Sequence, residues 1–279
     1  MNPLVSVIVP TYNSDATLAN CLESIKKQSY QSIELIIVDN HSADNTVEIA
    51  RKYTDLVFTK GPERSAQRNF GVQKARGEYV CIIDSDMELS PEVISQCVVV
   101  IAEKLTLKGV VIPEESFGEG FWAQCKKLER SFYVGVNWME AARFFDKKTY
   151  VSLGGYDSSL VSGEDWDLSQ RVAHLAPLGR VEAFIYHNEG RLKLGRTLGK
   201  KYYYAKLIAR YLAKQNHAAS SARQTSVLGR YWLYVSRPGK LLRRPLIGVG
   251  MLFMKTLEFG VGAVGMVMGK RETKVAVDG

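Results

Sequence analysis

Short, unbroken apolar runs rich in β-branched residues alternate with amphipathic stretches along the first half of the chain. The runs Val5–Pro10, Glu34–Asp39, Leu56–Thr59, Tyr79–Asp84 and Gly109–Pro113 predict buried strands. Between them, Leu18, Leu22 and Ile25 share one helical face, with Ser14 or Asp15 as a cap. Thr46–Tyr53 and Arg64–Lys74 also predict helices, and Ser90-Pro91-Glu92 predicts a helix start by cap, first-turn proline and first-turn acid. This alternation predicts an α/β fold with a mainly parallel central sheet covered on both faces by helices.

The second half is less regular. Phe121–Ser131 and Glu164–Ala173 predict helices, Arg143–Asp146 a strand, and Val181–Tyr186 a strand ending at His187, with a glycine turn at Gly154-Gly155. Lys200–Lys214 is amphipathic: Tyr204, Leu207, Ile208, Tyr211 and Leu212 cluster on one side, and Lys206, Arg210 and Lys214 line another. Pro245–Met268 is apolar except for Lys255 and Glu258. Its length would allow one membrane span, but a central lysine costs roughly 2.5–3.5 kcal/mol on insertion, so two short interfacial or re-entrant helices broken near Lys255–Glu258 are expected. The Gly260–Gly265 match to GxGxxG follows no strand and is not read as a dinucleotide site, and Gly265–Gly269 fits a helix-packing GxxxG.

In a parallel sheet, ligands sit beyond the carboxyl ends of the strands. Two predicted strands end in acid there, at Asp39 and Asp84. Asp84-Ser85-Asp86 places two carboxylates where both can reach one hard cation of the kind that bridges diphosphate oxygens; the same spacing also suits an ordinary strand-end turn. Arg64 and Arg68, four apart, share a helical face that can meet phosphates or surface acids. Glu164, Asp165 and Asp167 crowd a helix start, where the dipole alone favours acid and where one of them beside Trp166 can serve as a general base near a sugar ring.

Charge sharpens the picture. Net charge is +8, yet Gly190–Arg244 holds fourteen Lys or Arg and no acid, which points to an anionic partner: lipid headgroups, nucleic acid or a phosphorylated substrate. Cys21, Cys81, Cys97 and Cys125 are widely spaced without a CxxC and are expected to be buried thiols in a reducing compartment. Met1-Asn2-Pro3 leads straight into a strand, so no signal peptide is expected.

The segments VSVIVPTYN, LIIVDNHSADNT, RNFGVQKARGEYVCIIDSD and GGYDSSLVSGEDWDL occur in that order and resemble the inverting family 2 glycosyltransferases, over about residues 4–190. The resemblance implies a GT-A (Rossmann-like) fold at 1–190 and leaves 191–279 as a basic, partly apolar helical arm and tail. It implies that Pro10, Thr11 and Tyr12 lie against the nucleotide, that Asp39 binds its base, and that Arg64 or Arg68 contacts it. Asp84 and Asp86 match the family's DxD, with Asp86 the direct ligand of Mn²⁺ or Mg²⁺ and Asp84 approaching ribose and metal. Asp165, with Glu164 beside it, matches the catalytic base, and His187 a histidine near the metal or diphosphate. The family's processive synthases carry a QxxRW motif that Gln170-Arg171-Val172 does not supply, so transfer of one or a few sugars is expected.

The partners implied are a UDP-, GDP- or dTDP-sugar donor and a lipid-linked or other membrane-bound acceptor. The basic arm, through Lys206, Arg210, Lys214, Arg237, Lys240, Arg243 and Arg244, is expected to meet anionic lipid at the cytoplasmic face of a membrane in glycan or cell-envelope biosynthesis. Nucleic acid is not expected as a partner, and a homo-oligomer stays open. The rival readings are a sugar nucleotidyltransferase, whose fold also handles nucleotides with acids, and a nucleic-acid-binding protein using the basic arm, which leaves the acidic motifs unused.

Overall fold

The computed structural model describes residues 2–212 and 223–275. Its first compact unit runs to Glu115 and takes in Glu140–Ser158 and Glu164–Asn188; the second comprises Ser116–Met139, Ser159–Gly163 and the chain from Glu189.

In the first unit the strands are β1 (Val5–Thr11), β2 (Ile33–Asp39), β3 (Val57–Thr59), β4 (Tyr79–Ile82), β6 (Gly109–Val111), β8 (Ala142–Asp146) and β9 (Leu178–Arg180), of which β1, β2, β4, β6 and β8 are almost wholly buried. They form one sheet in the order β3-β2-β1-β4-β8-β6-β9. All pairs are parallel except those of β8, which runs antiparallel to β4 and β6. Helices α1 (Leu18–Lys26), α2 (Thr46–Arg51), α3 (Arg64–Lys74), α4 (Val93–Glu103), α6 (Lys147–Ser152) and α7 (Glu164–Leu175) complete the unit. One core cluster joins α1 and α4 to the sheet through Leu18, Leu22, Ile94 and Cys97; another joins α3 and α7 through Val72, Leu168 and Val172. The sheet is thus covered on both faces. All four cysteines are buried free thiols, as their wide spacing without a CxxC predicts.

Several local expectations are corrected. Helix α1 starts at Leu18 with Thr17 as its cap residue and no side-chain cap; Ser14 instead accepts the amides of Thr17 and Leu18 on its carbonyl and hydrogen-bonds Ser85 through its hydroxyl. Ser90 does not cap α4 either: its Oγ accepts from the Phe184 amide, and the helix begins at Val93. The predicted strand at 181–186 divides: Val181–Phe184 form the connection between β9 and β10 (Ile185–Arg191), Ile185 and Tyr186 begin β10, and His187 lies within it. A short strand β5 (Met87–Leu89), pairing with β10, carries too little apolar pattern to be read in advance, as does β7 (Glu114–Glu119).

The second unit is helical: α5 (Gly120–Ser131), α8 (Leu194–Leu207), α9 (Ala209–Leu212), α10 (Val227–Val235), α11 (Pro238–Leu242) and α12 (Pro245–Val275). The expected break at Lys255–Glu258 is absent, and α12 runs unbroken. The reason is pairing: Lys255 Nζ lies 2.6 Å from Glu258 and 2.8 Å from Glu129 of α5, with all three side chains buried, so the charges are satisfied inside the protein. The GxxxG pair does pack helices. A Cβ at Gly265 would sit 2.7 Å from the Tyr202 carbonyl oxygen, and one at Gly269 2.3 Å from that of Lys206, so α12 rests on the backbone of α8.

Candidate active site

β1 and β2 run in register to Thr11 and Asp39, which brings the two strand ends side by side. The Asp39 carboxylate is buried and accepts from Thr11 Oγ1 (2.8 Å), Ser42 N (2.8 Å) and Ser42 Oγ (2.6 Å). Asn13 tightens the same corner, its Oδ1 accepting from Ala43 N and its amide donating to Ser42 Oγ. Pro10 and Thr11 are buried, whereas the Tyr12 ring stands 62% exposed over this corner. Buried Gln67 of α3 donates to the carbonyls of Thr11 (2.9 Å) and Val38 (2.7 Å), fastening both strand ends from below.

The next strand end carries a charge cluster. Arg68, fully buried in α3, reaches Asp84 (2.6 Å), Asp165 (3.0 Å) and Glu164 (3.3 Å), and its guanidinium lies over the Tyr156 ring. Arg143 of β8 approaches Asp84 from the other side at 3.6 Å while holding Glu114 at 2.5 Å. Burial alone would raise the Asp84 carboxyl, but Arg68, Arg143 and Arg64 outweigh it and hold Asp84 well below the usual carboxylate range. Glu164 behaves oppositely. Burial, then the neighbouring Asp165, pushes it up to about 7 against the pull of Arg68 and Arg64. Asp165 is the member of the pair that reaches solvent, its side chain 30% exposed against 7% for Glu164.

Arg64 and Arg68 therefore differ sharply. Arg68 is enclosed by acids, whereas Arg64 is about half exposed and lies 3.7 Å from Glu164. The α3 face also anchors the glycine turn. Asn69 Oδ1 accepts from Tyr156 N and Tyr150 Oη, and its Nδ2 donates to the Tyr156 carbonyl. Gly155 has φ +67°, and a Cβ there would meet Asn69 Oδ1 at 2.4 Å, so the turn requires glycine.

Asp86 leaves the cluster on the solvent side. The β5–β10 pairing sets His187 opposite Met87, and His187 Nε2 lies 3.2 Å from Asp86 Oδ2. The Asn188 amide donates to the Asp86 carbonyl at 2.8 Å, which ties the turn before β5 to β10. Among the described residues, no three His, Cys, Asp or Glu side chains gather as a metal cage. A carboxylate and an imidazole at hydrogen-bond distance fit the protein share of a Mg²⁺ or Mn²⁺ site whose other ligands are waters and substrate phosphates. The Asp84 carboxylate is engaged instead by Arg68 and Arg143.

Sequence reading missed Arg143, Gln67 and Asn69. Arg143 lies in an antiparallel strand 59 residues beyond Asp84, and Gln67 and Asn69 carry no motif signal of their own. A cavity of about 410 Å³ lined by Leu4, Ile33, Glu34 and Arg76 lies at the amino ends of β1 and β2 and holds none of these acids.

In the second unit, Arg237 donates to the Phe132 carbonyl (3.1 Å) and Lys240 to that of Ser131 (2.6 Å), while Arg243 and Arg244 are exposed. Lys206 is half-buried, its ammonium 5.9 Å from the Tyr202 ring centre. Arg210 belongs to α9, where its backbone alone is described, and Lys214 lies outside the described residues.

The sequence model described as "Glycosyl transferase family 2" matches residues 6–164. Among curated proteins, "Glycosyltransferase GlyG" of Streptococcus pneumoniae is 41% identical over 93 residues, covering 31% of each chain. An "Uncharacterized glycosyltransferase EpsJ" of Bacillus subtilis is 30% identical over 153 residues, 53% of this chain and 41% of that protein. The chain thus spans about a third of the length of the curated relatives it matches. Of solved structures, "Mannosyltransferase PcManGT from Pyrobaculum calidifontis in complex with GDP-Man and Mn2+" superposes with TM-score 0.64 at 18% identity, over 96% of this chain and 88% of that one. S. aureus TarS 1-349 in complex with UDP-GlcNAc gives 0.55 at 18% identity, over 96% and 92%.

Proposed function

The chain belongs to glycosyl transferase family 2 and has a GT-A-like α/β fold, and from that premise we propose that it moves a sugar from a nucleotide-sugar donor to an acceptor hydroxyl by a single inverting displacement. The observation that carries the reading is the convergence of Asp84 and the Glu164–Asp165 pair on one buried arginine, Arg68, on a sheet whose neighbouring strand β2 ends at the buried Asp39.

Asp39, fixed by three donors, keeps its carboxylate in place for the imide or amide hydrogens of a base, with Pro10, Thr11 and Tyr12 beside it. Arg64, reaching solvent, is the arginine for the nucleotide's phosphates, and Arg68 positions Asp84 and Asp165. Asp165 accepts the proton of the acceptor hydroxyl as that oxygen bonds to the anomeric carbon and the bond to the nucleotide diphosphate breaks. Arg68 holds one Asp165 oxygen and so fixes the orientation of the base, while Glu164, its side chain only 7% exposed, is shut away from an acceptor arriving from solvent. Asp86 and His187, with Asp84 behind them, are the residues for a Mn²⁺ or Mg²⁺ ion, which when bound neutralises charge on the leaving diphosphate. PcManGT and TarS carry GDP-Man and UDP-GlcNAc in those structures, which supports a nucleotide-sugar donor here.

Chemistry falls within residues 1–190, and 191–279 serves as a membrane-associating arm; the acid-free basic window and apolar tail support a membrane-bound, lipid-linked acceptor at the cytoplasmic face. The test is a screen of UDP-, GDP- and dTDP-sugars with Mn²⁺ for release of free nucleoside diphosphate. Release from one of them, lost in Asp86→Ala, supports the reading. Diphosphate release from a nucleoside triphosphate plus sugar phosphate, with no nucleotide-sugar turnover, refutes it in favour of a nucleotidyltransferase.

A further inference from the structure

Helix α12 is inverted relative to a water-exposed helix. Its buried face carries Lys255 and Glu258, and its outer face is apolar. Leu246, Val249, Phe253, Thr256, Gly260, Val264 and Val267 recur at three- and four-residue intervals and are all exposed. At 1.5 Å per residue this stripe is about 31 Å long. Its one hydroxyl, on Thr256, is already engaged by the Leu252 carbonyl and by Tyr231 Oη of α10. The Tyr231–Thr256 bond also sets α10 beside the stripe, and α10 presents Leu228 (82% exposed), Trp232 (72%) and Val235, spaced four and three apart on one face. Apolar side chains of this size on two adjoining helices are far more than the scattered exposed hydrophobics of an ordinary surface.

The opposite side of α12 cannot meet lipid. There it rests on α8, whose outer surface exposes Arg196 and Lys200, and on α5, whose Glu129 and Lys126 join Lys255 and Glu258 in one charge network. A spanning α12 would carry these cationic side chains of α8 into hydrocarbon with it. Exposed Arg243 and Arg244 sit at the junction of α11 and α12, just before the stripe begins, where anionic headgroups would lie.

We propose that the second unit is a monotopic membrane-docking module: α10 and α12 lie in the plane of an anionic bilayer surface, with the Leu246–Val267 stripe and the Leu228–Trp232–Val235 face immersed, and α12 does not cross. Although by length and composition Pro245–Gly269 would suffice to span, its charged inner face is turned to protein. The inference rests on the membrane part of the function proposed above and is independent of the sugar chemistry.

The experiment is flotation of the full chain with phosphatidylcholine vesicles, with and without about one-third phosphatidylglycerol. Trp232→Asp and Phe253→Asp should each lower partitioning at least about tenfold. Arg243→Glu with Arg244→Glu should weaken binding to the anionic vesicles alone and remove its salt dependence. Should the aspartate variants lose their native circular dichroism, Trp232→Ser and Phe253→Ser replace them. Spin labels at Leu246→Cys, Phe253→Cys and Val264→Cys then report depth, the native thiols being buried. Equal, shallow depths support the proposal. A deep label at 253 between two shallow ones means a span and overturns it. Absence of vesicle binding together with a lipid-free dimer that protects all three labels assigns the face to a second copy and overturns it too. Nucleotide-sugar hydrolysis by the same variants separates the two proposals: hydrolysis without vesicle binding sinks only this one, and vesicle binding without hydrolysis sinks only the glycosyltransferase reading.

Discussion

Replacing Arg68 with methionine would remove the one cation on which three carboxylates converge. The guanidinium is wholly buried, 2.6 Å from Asp84, 3.0 Å from Asp165 and 3.3 Å from Glu164. Methionine fills most of the volume, so the loss is chiefly electrostatic. Removing one partner of a buried ion pair typically costs about 3–5 kcal/mol, because the remaining charge is left desolvated. At about 2–4 °C per kcal/mol for a chain of this size, the melting temperature should fall by on the order of 10 °C at neutral pH. The pH dependence discriminates among causes. In the wild type, Asp84 is held below its ordinary value, so its contribution is fully present above about pH 4 and is lost only as pH falls further. In the variant, the stranded carboxylates gain protons more readily, and acid relieves them. The deficit should therefore be largest near pH 7.5 and shrink markedly by pH 5. Urea unfolding followed by circular dichroism at both pH values measures it. A loss under about 1 kcal/mol at pH 7.5, or a loss equal at both pH values, would show that Arg68 acts by packing and not by charge.

Glu164→Gln should stabilise the protein above neutrality. Its folded value of about 7 against an ordinary 4.5 means the ionised form is disfavoured on folding, a penalty absent below about pH 4.5 and complete above about pH 7; on the order of 3 kcal/mol is at stake. Thermal melts of both proteins should coincide at pH 4.5 and diverge, the variant higher, at pH 8. Lys255→Met should cost about 3–5 kcal/mol, because Glu129 and Glu258 are then buried with one cation fewer, and Lys255→Met with Glu258→Met should cost less than the single change; a double-mutant cycle by chemical unfolding reads the coupling. Gly155→Ala should cost about 1–3 kcal/mol through its left-handed backbone and the contact with Asn69, again read by unfolding.

The parallel sheet and the acids at its strand ends were legible because a buried strand announces itself as an unbroken apolar run, and an acid closing such a run stands out. Asp39 and Asp84 were singled out on that ground, and Asp86 by its spacing from Asp84. What escaped depended on contacts distant in the chain. The choice between Arg64 and Arg68 turns on which side of α3 faces the core, and Arg68 is buried only because the acids of α7 and the turn after β4 come to meet it. Arg143 joins Asp84 across β8, whose antiparallel insertion the pattern did not announce. The expected break in α12 was wrong for the same reason: a lysine in an apolar run reads as a liability until Glu129, over a hundred residues earlier, pairs with it. Charge networks are written in three dimensions, and a one-dimensional pattern shows only their members.

The most direct test of the catalytic account is to measure donor binding and turnover together in Asp165→Asn. Titration calorimetry with the turned-over nucleotide sugar, alongside transfer rates, supplies both. The expected result is a dissociation constant within about threefold of wild type and transfer reduced by a factor of about 10²–10⁴, the usual contribution of a positioned general base. Transfer at the wild-type rate, with binding unchanged, would contradict it and remove Asp165 from the reaction.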